Sequence, residues 1–170
     1  MSTRADRTFD TKTLRQTFGS FATGVTVVTV GGPVPHGMTA NSFTAVSLEP
    51  ALLLVCVERG AIMHDALATA GRFAVSVLGA GHGSLARYFA DRDRPVGAEQ
   101  FAAVDWYPGE HSGAPLIAGA LAHFECTVWR SYDGGDHTIF LGKLLALRRG
   151  VDNEPLLFHL GSLQKIGVAV

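Results

Sequence analysis

Several short patterns in this chain could support chemistry, and each can be tested against the residue types its reaction requires. Gly79-Ala80-Gly81-His82-Gly83-Ser84 stands between a strand-like and a helix-like stretch, the context in which a glycine loop cradles a dinucleotide pyrophosphate. The third glycine of GxGxxG is missing, and no second βαβ unit or ribose-binding acid follows, so the segment reads as a tight turn. Gly19 to Gly24 holds the first and sixth positions of a P-loop, but Val25 stands where the phosphate-gripping lysine belongs, which excludes a nucleoside triphosphatase. The seven histidines form no HxH, HExxH or His/Cys pair at ligand spacing, so no metal is expected. Ser84, Ser131 and Ser162 lack a GxSxG elbow. Cys56 and Cys126 lie in strand-like stretches without CxxC spacing and read as reduced core residues.

The elements that would position any site follow from composition and periodicity. With 170 residues, 47% of them apolar and 17% charged, the chain fits a single domain over residues 1–170. A net charge of −1 with scattered basic residues shows no footprint for nucleic acid or an anionic membrane. The first ten residues mix charges without an apolar stretch, so no secretory signal is expected, the protein is expected in the cytoplasm, and residues 1–10 are expected to be flexible. The longest apolar run, residues 51–57, is far too short to cross a bilayer.

Leu14, Phe18 and Phe21 fall at helical spacing over residues 10–21. Strands are predicted over residues 25–30, 38–47, 51–57 and 72–78, with helices over 61–70 and 84–90. Residues 91–113, rich in Gly, Pro and charge, predict an extended surface loop. Two long strands, 120–132 and 137–148, are joined by Asp133-Gly134-Gly135-Asp136, a hairpin signal. A last strand over 155–160 precedes the tail. Many strands, short helices and no βαβ alternation predict a mostly β, mostly antiparallel barrel.

The stretches Phe21-Ala22-Thr23-Gly24-Val25-Thr26-Val27-Val28-Thr29, Gly37-Met38-Thr39-Ala40-Asn41-Ser42-Phe43 and Val46-Ser47-Leu48-Glu49-Pro50 resemble the short-chain flavin reductase family. The likeness continues through Gly135-Asp136-His137-Thr138 and Gly142 to Pro155-Leu156-Leu157-Phe158, nearly the whole chain. It implies an FMN-binding split β-barrel of Greek-key type. It further implies a homodimer that binds FAD or FMN, oxidises NADH or NADPH, and serves a flavin-dependent monooxygenase.

Carried over by position, the resemblance puts Met38, Thr39, Ala40, Asn41 and Ser42 along the isoalloxazine ring or the start of the ribityl chain, with Ser47 at the ribityl hydroxyls. Small side chains let a flat tricycle approach the backbone, and the hydroxyls and amide can bond its pyrimidine edge. The alternative is an alternating strand with one wet face. Val55, Cys56 and Val57 are implied beside the flavin, and Arg59, Gly60 and Ala61 at a helix start that suits phosphate. Phe89 and Ala90 match the family's Phe-Ala pair on the phosphate or adenine side, although Phe89 equally fits core packing. His137 matches a histidine beside bound nicotinamide, where it would position rather than abstract a proton; capping the hairpin through Asp136 is the competing role. His159 is a further nicotinamide candidate, in a segment where His159-Leu160-Gly161-Ser162-Leu163 departs from the family's Arg-Gly-aromatic pattern.

Two rival functions share the barrel. A pyridoxamine-phosphate type oxidase would keep its FMN and needs a basic phosphate cluster, where this sequence offers isolated arginines. A non-catalytic flavin- or haem-binding module would hold a cofactor without consuming NADH.

Overall fold

The computed structural model describes residues 9–150 and 154–167. The chain begins with α1 (Thr11–Gly19), capped by Asp10, whose carboxylate accepts from the Thr13 N–H at 2.9 Å. Strands β1 (Thr23–Gly24), β2 (Thr26–Val30), β3 (His36–Ala40), β4 (Thr44–Leu48) and β5 (Ala51–Glu58) follow. Next come α2 (Ile62–Ala70), β6 (Arg72–Val77), α3 (Gly83–Ala90), β7 (Trp106–Pro108) and β8 (Pro115–Ile117). The long strands β9 (Ala122–Gly134) and β10 (His137–Arg149) lead to β11 (Leu156–His159) and β12 (Ser162–Lys165).

Seven strands form one antiparallel sheet in the order β3-β2-β6-β9-β10-β5-β4. Its outermost strands, β3 and β4, are consecutive in the chain and only Asn41, Ser42 and Phe43 separate them. Three residues cannot span an open seven-stranded sheet, so the sheet must curl until its two edges meet. They meet without pairing, which makes the barrel a split one. The expected mostly β, single-domain split barrel with short helices is therefore what the chain forms.

The β-branched run of β2 is buried on both faces. Val28 and Val30 enter the barrel core with Val55, Val57, Phe73 and Phe140. Val25 and Val27 pack outside it with Leu78, Phe89 and Phe101. A strand flanked by two cores needs continuous apolar residues rather than alternation. At the β9–β10 hairpin, Gly135 takes φ +79°, as the first central position of a tight two-residue turn requires.

Four expectations are corrected. Residues 38–47 are not one strand, because the chain turns at Asn41–Phe43 to pass from one sheet edge to the other. Residues 91–113 are mostly exposed, as expected, but are not structureless: they contain a helical turn, Gly97–Phe101, with Gln100 and Phe101 buried, and β7. Glu125 secures the end of this segment, its Oε2 accepting from the N–H groups of His111 and Ser112 at 2.9 and 2.7 Å. The tail carries β12, which pairs with β11 in a small sheet with β1. Cys126 is buried but Cys56 is only half-buried, and both are free thiols. The expectation of flexibility for residues 1–8 lies outside the described residues, as does any reading of 151–153 and 168–170. No described helix is long and apolar enough to cross a membrane. One face of α1 remains uncovered, with Phe18 73% exposed, and Phe21 just beyond the helix is 78% exposed.

Candidate functional site

The split between β3 and β4 opens a cleft of about 500 Å³. The connector that makes the split also shapes its wall. Ser42 Oγ donates to the Cys56 carbonyl at 3.0 Å and accepts from the Cys56 N–H at 3.0 Å, supplying to β5 the main-chain partners that a neighbouring strand would give. Thr39 Oγ1 donates to the Ala86 carbonyl at 2.7 Å and so fastens β3 to α3. Ala40, Gly60, Ala61 and Ala90 line the cleft, and their small size leaves a slot for a flat ligand. The Asn41 side chain makes no hydrogen bond among the described residues and stands in this slot.

Period-two alternation in β5 decides which of its residues can reach the cleft. Cys56 and Glu58 line it, while Val55 and Val57 point the other way and are fully buried. Burial pushes the Cys56 thiol up from its ordinary value, so it carries no thiolate at neutral pH. Beyond Glu58 the chain enters α2, whose N-cap, Ala61, provides no side-chain acceptor. The first N–H groups of α2 therefore lack the oxygen that a serine or aspartate cap would supply, and that helix end borders the cleft through Gly60, Ala61 and Met63.

Two walls complete the site. The segment after α3 brings in Arg92 and Arg94. Arg92 Nη2 meets Glu58 Oε2 at 2.7 Å, spanning the cleft mouth. Arg94 has no acidic partner in this network: Nη1 donates to the Asp91 carbonyl, Nη2 donates to the Gly37 carbonyl and, at 3.0 Å, to His36 Nε2. Its Nε is buried with no hydrogen-bond partner among the described residues. Burial, then the Arg94 charge, pushes His36 down to about 4, so the imidazole is neutral and its Nε2 lone pair is free to accept. Gln100 supports the same corner, its Oε1 accepting from the Gly37 N–H at 2.8 Å and its Nε2 donating to the Pro35 carbonyl at 3.0 Å.

The opposite wall is the hairpin. His137 Nδ1 lies 2.7 Å from Asp136 Oδ1, and this hydrogen bond holds the Asp136 carboxyl below the usual range. Nδ1 thus serves the hairpin while the His137 ring lines the cleft.

Of the residues singled out in the sequence, Met38, Thr39, Ala40, Asn41, Ser42, Cys56, Gly60, Ala61, Phe89, Ala90 and His137 converge on this cleft. Phe89 does so while fully buried against Phe101, so it lines and packs at once. Five do not converge. The Val55 and Val57 side chains belong to the barrel core. Arg59 turns to Asp133 at 3.0 Å, away from the slot. Ser47 sits on β4 beside a register shift, and His159 lies on β11 outside the cleft lining. Sequence reasoning missed His36, Glu58, Arg92 and Arg94. A cation pair following the Phe-Ala dipeptide was the one available signal.

Residues 18–167 match the family model for the flavin reductase like domain. An NADH-dependent FAD reductase from Streptomyces globisporus is 58% identical over 152 residues, covering 89% of this chain and 84% of that relative. The reductase subunit HsaB of a flavin-dependent monooxygenase from Mycobacterium tuberculosis is 39% identical over 155 residues, 89% of this chain and 80% of the relative. The crystal structure of BorF, the flavin reductase component of a bacterial two-component tryptophan halogenase, superposes with a TM-score of 0.90 at 53% identity, covering 92% of this chain and 98% of BorF. The Streptomyces globisporus NADH:FAD oxidoreductase SgcE6, solved with NAD and FAD fragments, gives a TM-score of 0.88 at 52% identity, with 96% and 98% covered.

Proposed function

The chain belongs to the flavin reductase like family, and we propose that it is an NAD(P)H:flavin oxidoreductase that reduces FAD or FMN with NADH and supplies reduced flavin to a separate flavin-dependent monooxygenase. The observation that carries this reading is the convergence of eleven family-matched residues on one slot at the barrel split. The donor set fits a flavin. Ala40, Gly60 and Ala61 leave room for a planar ring, Asn41 has an amide to offer its polar edge, and the uncapped head of α2 suits a phosphate.

When bound, flavin supplies the two-electron acceptor that takes hydride directly from nicotinamide. The protein then has no proton to abstract from the donor carbon, and its own contribution is orientation and charge. Ser42, fixed twice to Cys56, keeps the β3–β4 connector rigid. Arg94 places a positive charge in the cleft wall with no ion pair among the described residues, although the nearby Asp91 carboxylate acts on it, and this charge favours a ligand that gains negative charge. His137 has its Nδ1 engaged by Asp136, leaving Nε2 to orient the nicotinamide carboxamide. The apolar face of α1, with Leu160 60% exposed at its end, supports a homodimer in which a second copy covers it.

Loss of 340 nm absorbance tests the reading, with NADH or NADPH paired with FAD, FMN or no flavin. Saturable NADH oxidation that depends on added flavin is expected. A folded protein that binds flavin yet turns over no pairing would instead be a binding module.

A further inference from the structure

His137 and Glu58 face each other across the β5–β10 ladder. They are register partners at its hairpin end, and side chains directly opposite in an antiparallel pair stand on the same face with Cβ atoms about 5 Å apart. Both line the cleft. A carboxylate placed beside an imidazole in this way is expected to pair with it, yet the two do not meet. Among the described residues Glu58 bonds only to Arg92, its Oε2 accepting from Nη2 at 2.7 Å, and His137 bonds only to Asp136. The other charged groups around the hairpin are committed elsewhere. Arg59 pairs with Asp133 at 3.0 Å, His64 reaches from α2 to the Thr138 hydroxyl at 2.9 Å, and Arg94 lies against His36 on the far wall.

Stability does not account for the Arg92–Glu58 pair. The Arg92 side chain is 84% exposed and that of Glu58 45%, and exposed pairs contribute about 1 kcal/mol or less. What the pair fixes is the place of the Glu58 carboxylate. Asp136 is ionised at neutral pH and can only accept, so the proton on a neutral His137 sits at Nδ1 and Nε2 keeps its lone pair. The carboxamide N–H of a nicotinamide can donate to that lone pair. A carboxylate turned towards Nε2 would instead draw a proton onto it and take the new N–H for itself, and the acceptor would be lost.

Resting on the flavin reductase reading, with His137 orienting the nicotinamide, we propose that Arg92 is a positioning residue: by holding Glu58 across the cleft mouth it keeps that carboxylate off His137 and leaves Nε2 open to NADH. In this role Arg92 needs no contact with flavin or nicotinamide. It acts through Glu58, and only while His137 is present.

Steady-state NADH oxidation at saturating flavin tests this. Arg92→Ala should raise KM for NADH about fivefold while kcat and flavin affinity stay within about twofold, the effect of one exposed charge pair changing partners. Adding Glu58→Gln to Arg92→Ala should return KM to within about twofold of wild type, and in a His137→Gln background Arg92→Ala should add nothing. An effect that survives in either background would mean that Arg92 meets NADH directly, and overturns the proposal, as does an unchanged KM. Nitrogen NMR of the imidazoles gives a readout independent of turnover. At neutral pH the His137 Nε2 resonance should move towards that of a protonated ring in Arg92→Ala and return in the variant that also carries Glu58→Gln; no movement overturns the proposal as well. If the resonance moves as expected while wild type oxidises no NADH with any flavin, the placement of Glu58 by Arg92 stands and the reductase reading falls.

Discussion

On one wall of the cleft His36 is 4% exposed and accepts from Arg94 at 3.0 Å, with Gln100 bracing the strand around it. On the other wall the His137 side chain is 42% exposed and, among the described residues, hydrogen-bonds only to its neighbour Asp136. The first histidine is held in a network that spans 58 to 64 residues of chain, and burial keeps it neutral. The second stands at the end of a hairpin with a ring nitrogen to spare. A cleft of this kind needs both: one wall that is part of the packing and fixes the slot, and one wall that answers to ligand. Substitutions should therefore divide cleanly, with stability lost on the His36 side and substrate handling lost on the His137 side.

The largest expected effect lies on the packed wall. A Cβ at Gly37 would come within 2.6 Å of the Phe89 ring and 3.2 Å of Phe101, both buried and mutually in contact. Gly37→Ala should destabilise by about 3 kcal/mol, as overpacking does when the neighbours have no room to move. Urea unfolding measures it, and a change below about 1 kcal/mol would mean that this wall is looser than the ring geometry implies.

The next effect concerns pH. The folded His36 titrates near 4, below the ordinary value of about 6.5, so between those limits the unfolded chain takes up a proton that the folded chain refuses. Stability should fall as pH drops from about 6.5 towards 4, and level out below. Between pH 7 and 4.5, wild type should lose about 2 kcal/mol more than His36→Gln does. Parallel slopes in the two proteins would show that His36 is not held neutral.

The smallest effect belongs to the responsive wall. His137→Gln should raise KM for NADH about tenfold, near 1.4 kcal/mol, with flavin affinity and unfolding midpoint little changed. A variant that loses stability instead would place His137 with His36, and the contrast between the walls would collapse.

This division also explains what could be read in advance. The responsive wall and the connector are local in sequence: Thr39 to Ser42, Gly60, Ala61 and the hairpin around His137 each occupy a few consecutive residues, so their types and order carry the signal. The packed wall is assembled from residues far apart, and nothing near His36 indicates that Arg94 and Gln100 will reach it. Gln100 lies in a segment whose Gly, Pro and charge suggest solvent, yet its amide serves the β3 main chain. Cys56 and its neighbours Val55 and Val57 show a finer limit. Their strand was evident, but which of them faces the cleft depends on register, and one step of register exchanges every side chain between faces. The β11–β12 hairpin escaped notice because its turn uses Leu160 at φ +48°, a left-handed conformation that leucine seldom adopts.

The three-residue connector between β3 and β4 has a consequence for how the chain folds. It separates two antiparallel pairs, β2–β3 and β4–β5, each local in sequence, and β9–β10 forms a third. Joining them requires β6 to pair with both β2 and β9, and β10 with β5, contacts whose loops are long and entropically costly. Three hairpins can therefore form early, with the slow step their assembly around β6. Asn41 to Phe43 takes its final shape only when β3 and β4 have each found their place. The segment assigned to hold the ligand would then be among the last to order during refolding.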